Sequence, residues 1–173
     1  MRWYIRTVDT MNEWIGKIFC WLLIPLVFIT AFEVFMRYVM QQPTIWAWDV
    51  NIQIFAAITF FSGGYALLTK GHVTVDVFTL RMEKRKRAIL EIITSFFFFF
   101  GIAVLMIKGY EMFLMSWSVK EKMPTIWAPP YYIMKFFVPL GCALLLLQGI
   151  SELFKNLYVI AGKDPEILKG KGD

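Results

Sequence analysis

The feature that most constrains this chain is a long, predominantly apolar stretch from Trp14 to Met40. A helix rises about 1.5 Å per residue, so the stretch would be about 40 Å long as a helix, whereas the hydrocarbon core of a bilayer is about 30 Å thick. It therefore predicts a membrane-spanning helix that tilts or extends into the headgroup layer. Three similar stretches follow. Together they predict an all-α integral membrane protein with four long, tilted transmembrane helices.

Composition supports this fold class. Of the 173 residues, 58% are hydrophobic, which leaves too few polar residues to cover a soluble domain of this size. We expect one membrane domain over residues 1–162, with helices at about 14–40, 48–70, 89–117 and 130–158, and a polar cytoplasmic tail at 163–173. The first apolar stretch is too long for the core of a secretory signal peptide, so we expect it to be retained.

The first fifteen residues of the chain carry an amphipathic pattern. Four apolar side chains recur there at helical spacing: Tyr4, Val8, Met11 and Ile15. The pattern predicts a short N-terminal interfacial helix lying on the membrane surface. The alternative is a frayed terminus.

Two features predict local geometry within the spans. Pro25 should free a backbone carbonyl and bend the first helix. Small residues on one face of the second helix should allow close packing against a neighbouring helix. They are Ala56, Thr59, Gly63 and Ala66.

The distribution of basic residues predicts the orientation of the chain. The amino terminus, the connection between the second and third helices and the carboxyl tail all carry lysine or arginine, including the basic run at 84–87. The other two connections carry only Lys120 and Lys122. We therefore expect a multi-pass protein with both termini in the cytoplasm.

One pentapeptide occurs twice. The sequence Pro-Thr-Ile-Trp-Ala stands at residues 43–47 and again at 124–128, each time after an odd-numbered helix and so on the predicted extracytoplasmic side. In each copy the proline stops the preceding helix and the tryptophan anchors at the membrane interface. A duplicated hairpin and two similar anchors without a further role both remain open.

Charged residues inside the predicted spans require a reason, because charge in a bilayer is unfavourable. Glu33 and Arg37 are spaced i,i+4, and Lys108 and Glu111 are spaced i,i+3, so each pair can form an ion pair on its own helix. These groups line an ion or substrate path, or they neutralise one another or snorkel outward and so fix helix packing. Because positive and negative residues balance at this depth, we favour the packing role. A pair of that kind should tolerate exchange of its two residues better than loss of either.

The sequence contains no recognised catalytic motif, and we expect no enzyme activity. The single histidine, His72, excludes bis-histidine haem ligation within the chain, and the two cysteines do not suggest a zinc site. We expect no cofactor and no metal. The basic residues lie in short connections without a folded cytoplasmic surface, which favours contact with membrane lipids and excludes nucleic acid.

Several motifs, taken in order along the chain, resemble the small membrane (Q) subunit of tripartite ATP-independent periplasmic (TRAP) transporters. They lie at the end of the first helix, in the first outer loop, in the connection after the second helix and around the fourth helix. The residues are Arg37, Tyr38, Val39, Pro43, Trp46, Asp49, Gly64, Lys70, Gly71, His72, Val73, Val75, Asp76, Pro124, Trp127 and Pro139. The family often has two adjacent acids after the first-loop tryptophan, whereas Trp48 precedes Asp49 here and a single acid remains.

The resemblance implies a scaffold role in a heteromeric complex of the bacterial inner membrane. In this family a large multi-helix membrane (M) subunit holds the substrate and sodium sites. A periplasmic substrate-binding protein captures an organic acid such as a dicarboxylate or sialic acid. The small subunit braces the large one and helps to dock the periplasmic protein.

We expect a partner surface on the extracytoplasmic side, formed by interface-prone residues of the two outer loops. They are Trp46, Asp49, Lys120, Lys122 and Trp127. Two other functions remain open. A self-sufficient, homo-oligomeric four-helix transporter would use Glu33, although its pairing with Arg37 argues against this. A membrane anchor of a redox enzyme would hold haem or quinone, although the single loop histidine argues against haem.

Overall fold

The computed structural model describes residues 2–69 and 84–160, with side chains described for 3–69 and 89–160. The described residues form five α-helices: α1 (Arg2–Cys20), α2 (Leu23–Tyr38), α3 (Ala47–Leu68), α4 (Lys84–Ser118) and α5 (Tyr131–Ile160). Four stretches are long and apolar enough to span a membrane: Trp3–Tyr38, Ala47–Leu68, Ile89–Ser118 and Tyr131–Ile160. The predicted all-α membrane fold is confirmed. The predicted tail and the connection containing Gly71, His72 and Asp76 lie outside the described residues.

The first span is interrupted by a turn at Trp21–Leu22. The sequence predicted that a separate helix would begin near Trp14, but α1 continues through that position. Pro25 explains the position of the turn. Because proline has no N–H, it cannot donate to the carbonyl of Trp21 four residues earlier. That carbonyl instead accepts a 3.2 Å hydrogen bond from the N–H of Ile24. Pro25 therefore interrupts the helix, one turn before the proline.

Helix α1 packs against α3 and α5. Ile5, Val8 and Asn12 are 1%, 5% and 0% exposed. Gly16 continues this face, and a Cβ atom placed there would lie 2.3 Å from Cβ of Tyr65. Of the predicted amphipathic stripe, only Val8 is buried. The buried face is therefore shifted by about one residue from the predicted apolar stripe, and it includes the polar side chain of Asn12.

Helices α3, α4 and α5 approach one another closely at glycines. A Cβ atom at Gly141 would lie 2.6 Å from the carbonyl oxygen of Phe60, so α5 meets the backbone of α3 there. A Cβ atom at Gly109 of α4 would lie 2.7 Å from Cγ1 of Val138 in α5. The small residues that are buried in the middle of α3 are Ala57 and Gly64. Each directly follows a residue of the predicted small face, Ala56 and Gly63.

The helices form an open layer and not a closed bundle. Helix α4 packs on α5, α5 on α3, and α3 on α2, while α1 contacts α3 and α5. Helix α2 has no buried residue. Within the described part of the chain, α2 and α4 share no substantial contact. They are therefore the two edges of the layer, and both expose large apolar side chains.

Candidate partner-binding site

The two copies of the Pro-Thr-Ile-Trp-Ala sequence lie at one end of the helix layer. We call this the repeat end, formed by residues 39–46 between α2 and α3 and residues 119–130 between α4 and α5. The copies meet at a groove of about 370 Å³. Its lining comprises Pro43, Thr44, Ile45, Trp48, Asp49, Thr125 and Ile126. The structure thus brings together two loops that are far apart in the sequence.

In the first copy, Thr44 binds the carboxylate of Glu33 in α2. The backbone N–H of Thr44 donates to Oε2 at 3.2 Å, and its hydroxyl donates to the same oxygen. The other oxygen, Oε1, accepts from Nη2 of Arg37 at 2.6 Å and from Nε at 3.2 Å. The predicted pair of Glu33 and Arg37 is therefore present, and Glu33 also fixes the loop that follows α2.

In the second copy, the equivalent threonine binds Asp49 of α3. Oγ1 of Thr125 donates to Oδ2 of Asp49 at 2.6 Å and accepts from the N–H of Ala128 at 3.2 Å. Asp49 is 1% exposed and lies in the first turn of α3, where the positive end of the helix dipole stabilises a carboxylate. We expected Asp49 on an exposed partner surface, but its side chain is buried and positions the second copy.

The two copies differ in backbone conformation after the tryptophan. Ala47 begins α3, whereas Ala128 has a positive φ of 50° and precedes Pro129 and Pro130. The N–H of Met123 donates to the carbonyl of Pro129 at 2.9 Å, which closes the second loop on itself. The two copies thus share a hydrogen bond from threonine to a carboxylate, but they do not share a backbone conformation. This does not support a duplicated hairpin.

An ion pair holds the second loop to α5. Nζ of Lys135 lies 2.5 Å from Oε2 of Glu121 and 4.7 Å from the centre of the Tyr131 ring. The hydrogen bond from Lys135 lowers the pKa of the Glu121 carboxyl below its ordinary value. Glu121 is thereby paired with α5, while Lys120 and Lys122 on either side of it are exposed.

The exposed part of the repeat end combines positive charge with large apolar side chains. Trp127 is 47% exposed and lies in the same loop as Lys120 and Lys122. Trp46 is half-buried, because its ring stacks on Phe32 with 6.3 Å between centroids. Three exposed residues that were not part of the predicted partner surface extend it: Ile45, Trp48 and Ile126.

The second intramembrane pair lies away from this site. Nζ of Lys108 is 2.7 Å from Oε2 of Glu111, on α4. Their side chains are 67% and 58% exposed. Among the described residues, neither side chain bonds to another helix. The pair that we expected to fix helix packing therefore joins no two helices of this chain.

A polar cluster at the opposite end of the layer was not predicted from the sequence. Nε2 of Gln148 and Oγ of Ser151 donate to Oδ1 of Asp9 at 2.9 and 3.0 Å. Lys155 lies 2.7 Å from Oδ2 of Asp9, and Asn12 donates to Gln148 at 2.8 Å. The cluster fastens α1 to α5. Its signal in the sequence is the helical spacing of Gln148, Ser151 and Lys155.

Comparison with known proteins agrees with the motifs. A family model described as "Tripartite ATP-independent periplasmic transporters, DctQ component" matches residues 26–158, which include both pentapeptide copies and both intramembrane ion pairs. No curated protein matches the chain. Within residues 2–69 and 84–160, no three histidine, cysteine or acidic side chains are grouped to hold a metal ion. Because the match covers well over half of the sequence, the chain belongs to the DctQ family, the small membrane subunits of TRAP transporters.

Proposed function

We propose that this chain is a scaffold subunit of a TRAP transporter. It braces the large membrane subunit and helps to dock a periplasmic substrate-binding protein during sodium-driven uptake of an organic acid, such as a dicarboxylate or sialic acid. Membership of a tripartite transporter family supports the existence of partner subunits. The observation that carries the scaffold role is the open helix layer, in which α2 buries none of its side chains.

The environment of Glu33 favours a structural role over ion exchange. A working carboxylate in a small exporter has to bind and release its cargo. Here one oxygen of Glu33 accepts from Arg37 and the other accepts from Thr44. Exchange would require both sets of bonds to break. Glu33 also lies on α2, at the edge of the layer, and not between several helices.

The repeat end supports docking of a soluble partner. The exposed lysines at 120 and 122 offer positive charge, and Trp127 and Ile126 offer apolar area beside them. This combination suits a partner surface with acidic groups around an apolar centre. Docking from the periplasm requires the repeat end to face that side, as the basic residues of the other connections predict.

The scaffold role is tested by purifying the tagged chain from its native membranes in mild detergent and identifying the proteins that remain bound. We expect a stoichiometric, much larger multi-helix membrane protein. Recovery of the chain with copies of itself and no other membrane protein would contradict the scaffold role and favour a homo-oligomeric transporter.

The docking role is tested by reversing charge with Lys120→Glu and Lys122→Glu in the same chain. We expect substrate uptake to fall at least several-fold while the membrane complex is recovered in normal amounts, because both lysines are exposed. The matched control is Lys120→Arg with Lys122→Arg, which keeps both charges and should keep uptake. Unchanged uptake in the charge-reversed chain would contradict docking through these lysines.

A further inference from the structure

Helix α4 has a face that is directed away from α5. The side that packs on α5 is marked by Gly109, which meets Val138, and by Phe113, whose ring lies 5.1 Å from that of Phe136. On the other side, six exposed residues follow one another at alternating spacings of four and three. We call them the α4 seam: Phe97, Gly101, Val104, Lys108, Glu111 and Met115. This alternation is the spacing by which one helix packs along another.

The ion pair of the seam is unfavourable in contact with lipid. Lys108 and Glu111 lie within the candidate span Ile89–Ser118. Lys108 is about 15 Å along the helix axis from Ser118, the end of that span, so its ammonium would have to extend along the helix surface to reach the headgroups. Lipid tails offer no partner for the N–H groups of Lys108 that Glu111 does not bind. The pair therefore needs polar groups that the described residues of this chain do not supply.

Gly101 provides a second, independent observation. A Cβ atom placed there would meet nothing within 4 Å, in contrast to Gly109 on the same helix. Glycine inside a helix is less favourable than alanine by about 1 kcal/mol. No contact within the described chain requires its small size. A glycine on the outer face of a transmembrane helix allows the backbone of a second helix to approach closely.

We propose that the α4 seam binds a transmembrane helix of the large membrane subunit. That helix crosses α4 near Gly101 and presents a polar or charged side chain to Lys108 and Glu111. The inference rests on the scaffold role proposed above and assigns the surface that performs it. A partner protein is favoured over lipid because the ion pair needs hydrogen-bonding groups at this depth. A different subunit is favoured over a second copy because the family is one component of a tripartite assembly.

Photo-crosslinking in the complete transporter, in native membranes, tests the assignment. A photoreactive residue replaces Val104 in the seam, and a control replaces Leu140 of α5. The control lies at a similar depth, because Gly109 of α4 packs against Val138 and Pro139, and Leu140 is 37% exposed. We expect the probe at 104 to crosslink to the large subunit at least ten-fold more efficiently than the probe at 140. Equal yields, or crosslinks from 104 to lipid or to a second copy of this chain, would overturn the proposal.

Gly101→Leu tests the same surface by adding bulk. Because no atom of the described chain lies near that position, the isolated variant should unfold at the same temperature as the wild type or higher. The amount of large subunit recovered with it should nevertheless fall at least ten-fold. The comparison variant is Gly109→Leu, which should lower the unfolding temperature of the isolated chain itself. Normal assembly of Gly101→Leu would overturn the proposal.

These outcomes separate the two proposals. If the wild-type chain retains no large membrane protein on purification, the scaffold role is wrong, and the seam has no large subunit to bind. If the complex is intact and the seam variants behave like their controls, the scaffold role stands and the assignment of the seam is wrong.

Discussion

The hydroxyl of Thr125 donates a 2.6 Å hydrogen bond to a carboxylate oxygen of Asp49, and this contact ties the loop before α5 to the first turn of α3. Thr44, at the same position of the other pentapeptide copy, donates to Glu33. In each copy, the hydrogen bond from a threonine therefore offsets part of the free-energy cost of removing a carboxylate on a neighbouring helix from water. The repeated sequence is explained by this shared task, which holds the repeat end together.

Thr125→Val removes the hydroxyl donor and keeps the shape of the side chain. Asp49 is 1% exposed, and Oδ1 already lacks a hydrogen-bond partner among the described residues. Removing the donor to Oδ2 should therefore lower the free energy of unfolding by about 1–3 kcal/mol. Thermal unfolding of the purified chain in detergent measures the change.

The control for this variant is Thr94→Val on α4. Thr94 is exposed, and its hydroxyl bonds the carbonyl of Leu90 within its own helix. Its loss should change the free energy of unfolding by less than about 0.5 kcal/mol. If both variants behave alike, the contact between Thr125 and Asp49 does not stabilise the repeat end.

The helices could be predicted because their signal is local. Each span is a continuous apolar stretch, and the interruption before Pro25 follows from the missing N–H of a single residue. The DctQ motifs were equally accessible, because they are short and occur in a fixed order. Such features do not depend on which helix packs beside which.

The partners of polar residues could not be predicted, because they join distant parts of the chain. Asp9 lies off the predicted apolar stripe of the N-terminal helix, yet it bonds Gln148 and Lys155 of α5. Asp49 was placed on an exposed surface, yet Thr125 covers it. An amphipathic pattern shows which side of a helix is apolar, and it does not show that a polar side chain will find a buried partner on another helix.

Exchange of Glu33 and Arg37 should be as damaging as Glu33→Ala. The neutrality of the pair predicted a mild effect, but the structure adds a second requirement. An arginine at position 33 cannot accept the hydrogen bonds that Thr44 donates from its N–H and hydroxyl. We expect the unfolding temperature of the isolated chain to fall to the same extent in both variants.

The matched control exchanges Lys108 and Glu111. This pair also lies within one helix, and it has no further partner in the described residues of the chain. Its exchange should leave the unfolding temperature of the isolated chain unchanged. A mild effect of the Glu33 and Arg37 exchange, equal to that of this control, would show that the bonds to Thr44 contribute little.

Two glycine-to-alanine substitutions should have opposite effects. Gly141→Ala places a Cβ atom 2.6 Å from the carbonyl oxygen of Phe60, so α3 and α5 must separate, at a cost of about 1–3 kcal/mol. Gly101→Ala meets no neighbour and should stabilise the chain by up to about 1 kcal/mol through helix propensity. Thermal unfolding of the isolated chain measures both. Destabilisation by Gly101→Ala would show that this position has a packing partner in the chain.

The ion pair of Glu121 and Lys135 should make the second loop sensitive to acid. The hydrogen bond from Lys135 holds the pKa of Glu121 below its ordinary value of 4.5 in the folded chain. The charged carboxylate therefore stabilises the fold above about pH 4.5, and this stabilisation is lost as the pH falls through the lowered pKa.

Glu121→Gln removes the contribution of the charged carboxylate at every pH. The variant should unfold at a lower temperature than the wild type at pH 7, and the difference should narrow below pH 4.5. Unfolding measured across this range in detergent makes the comparison, and a difference that stays constant with pH would show that the carboxylate charge is not what holds the loop to α5.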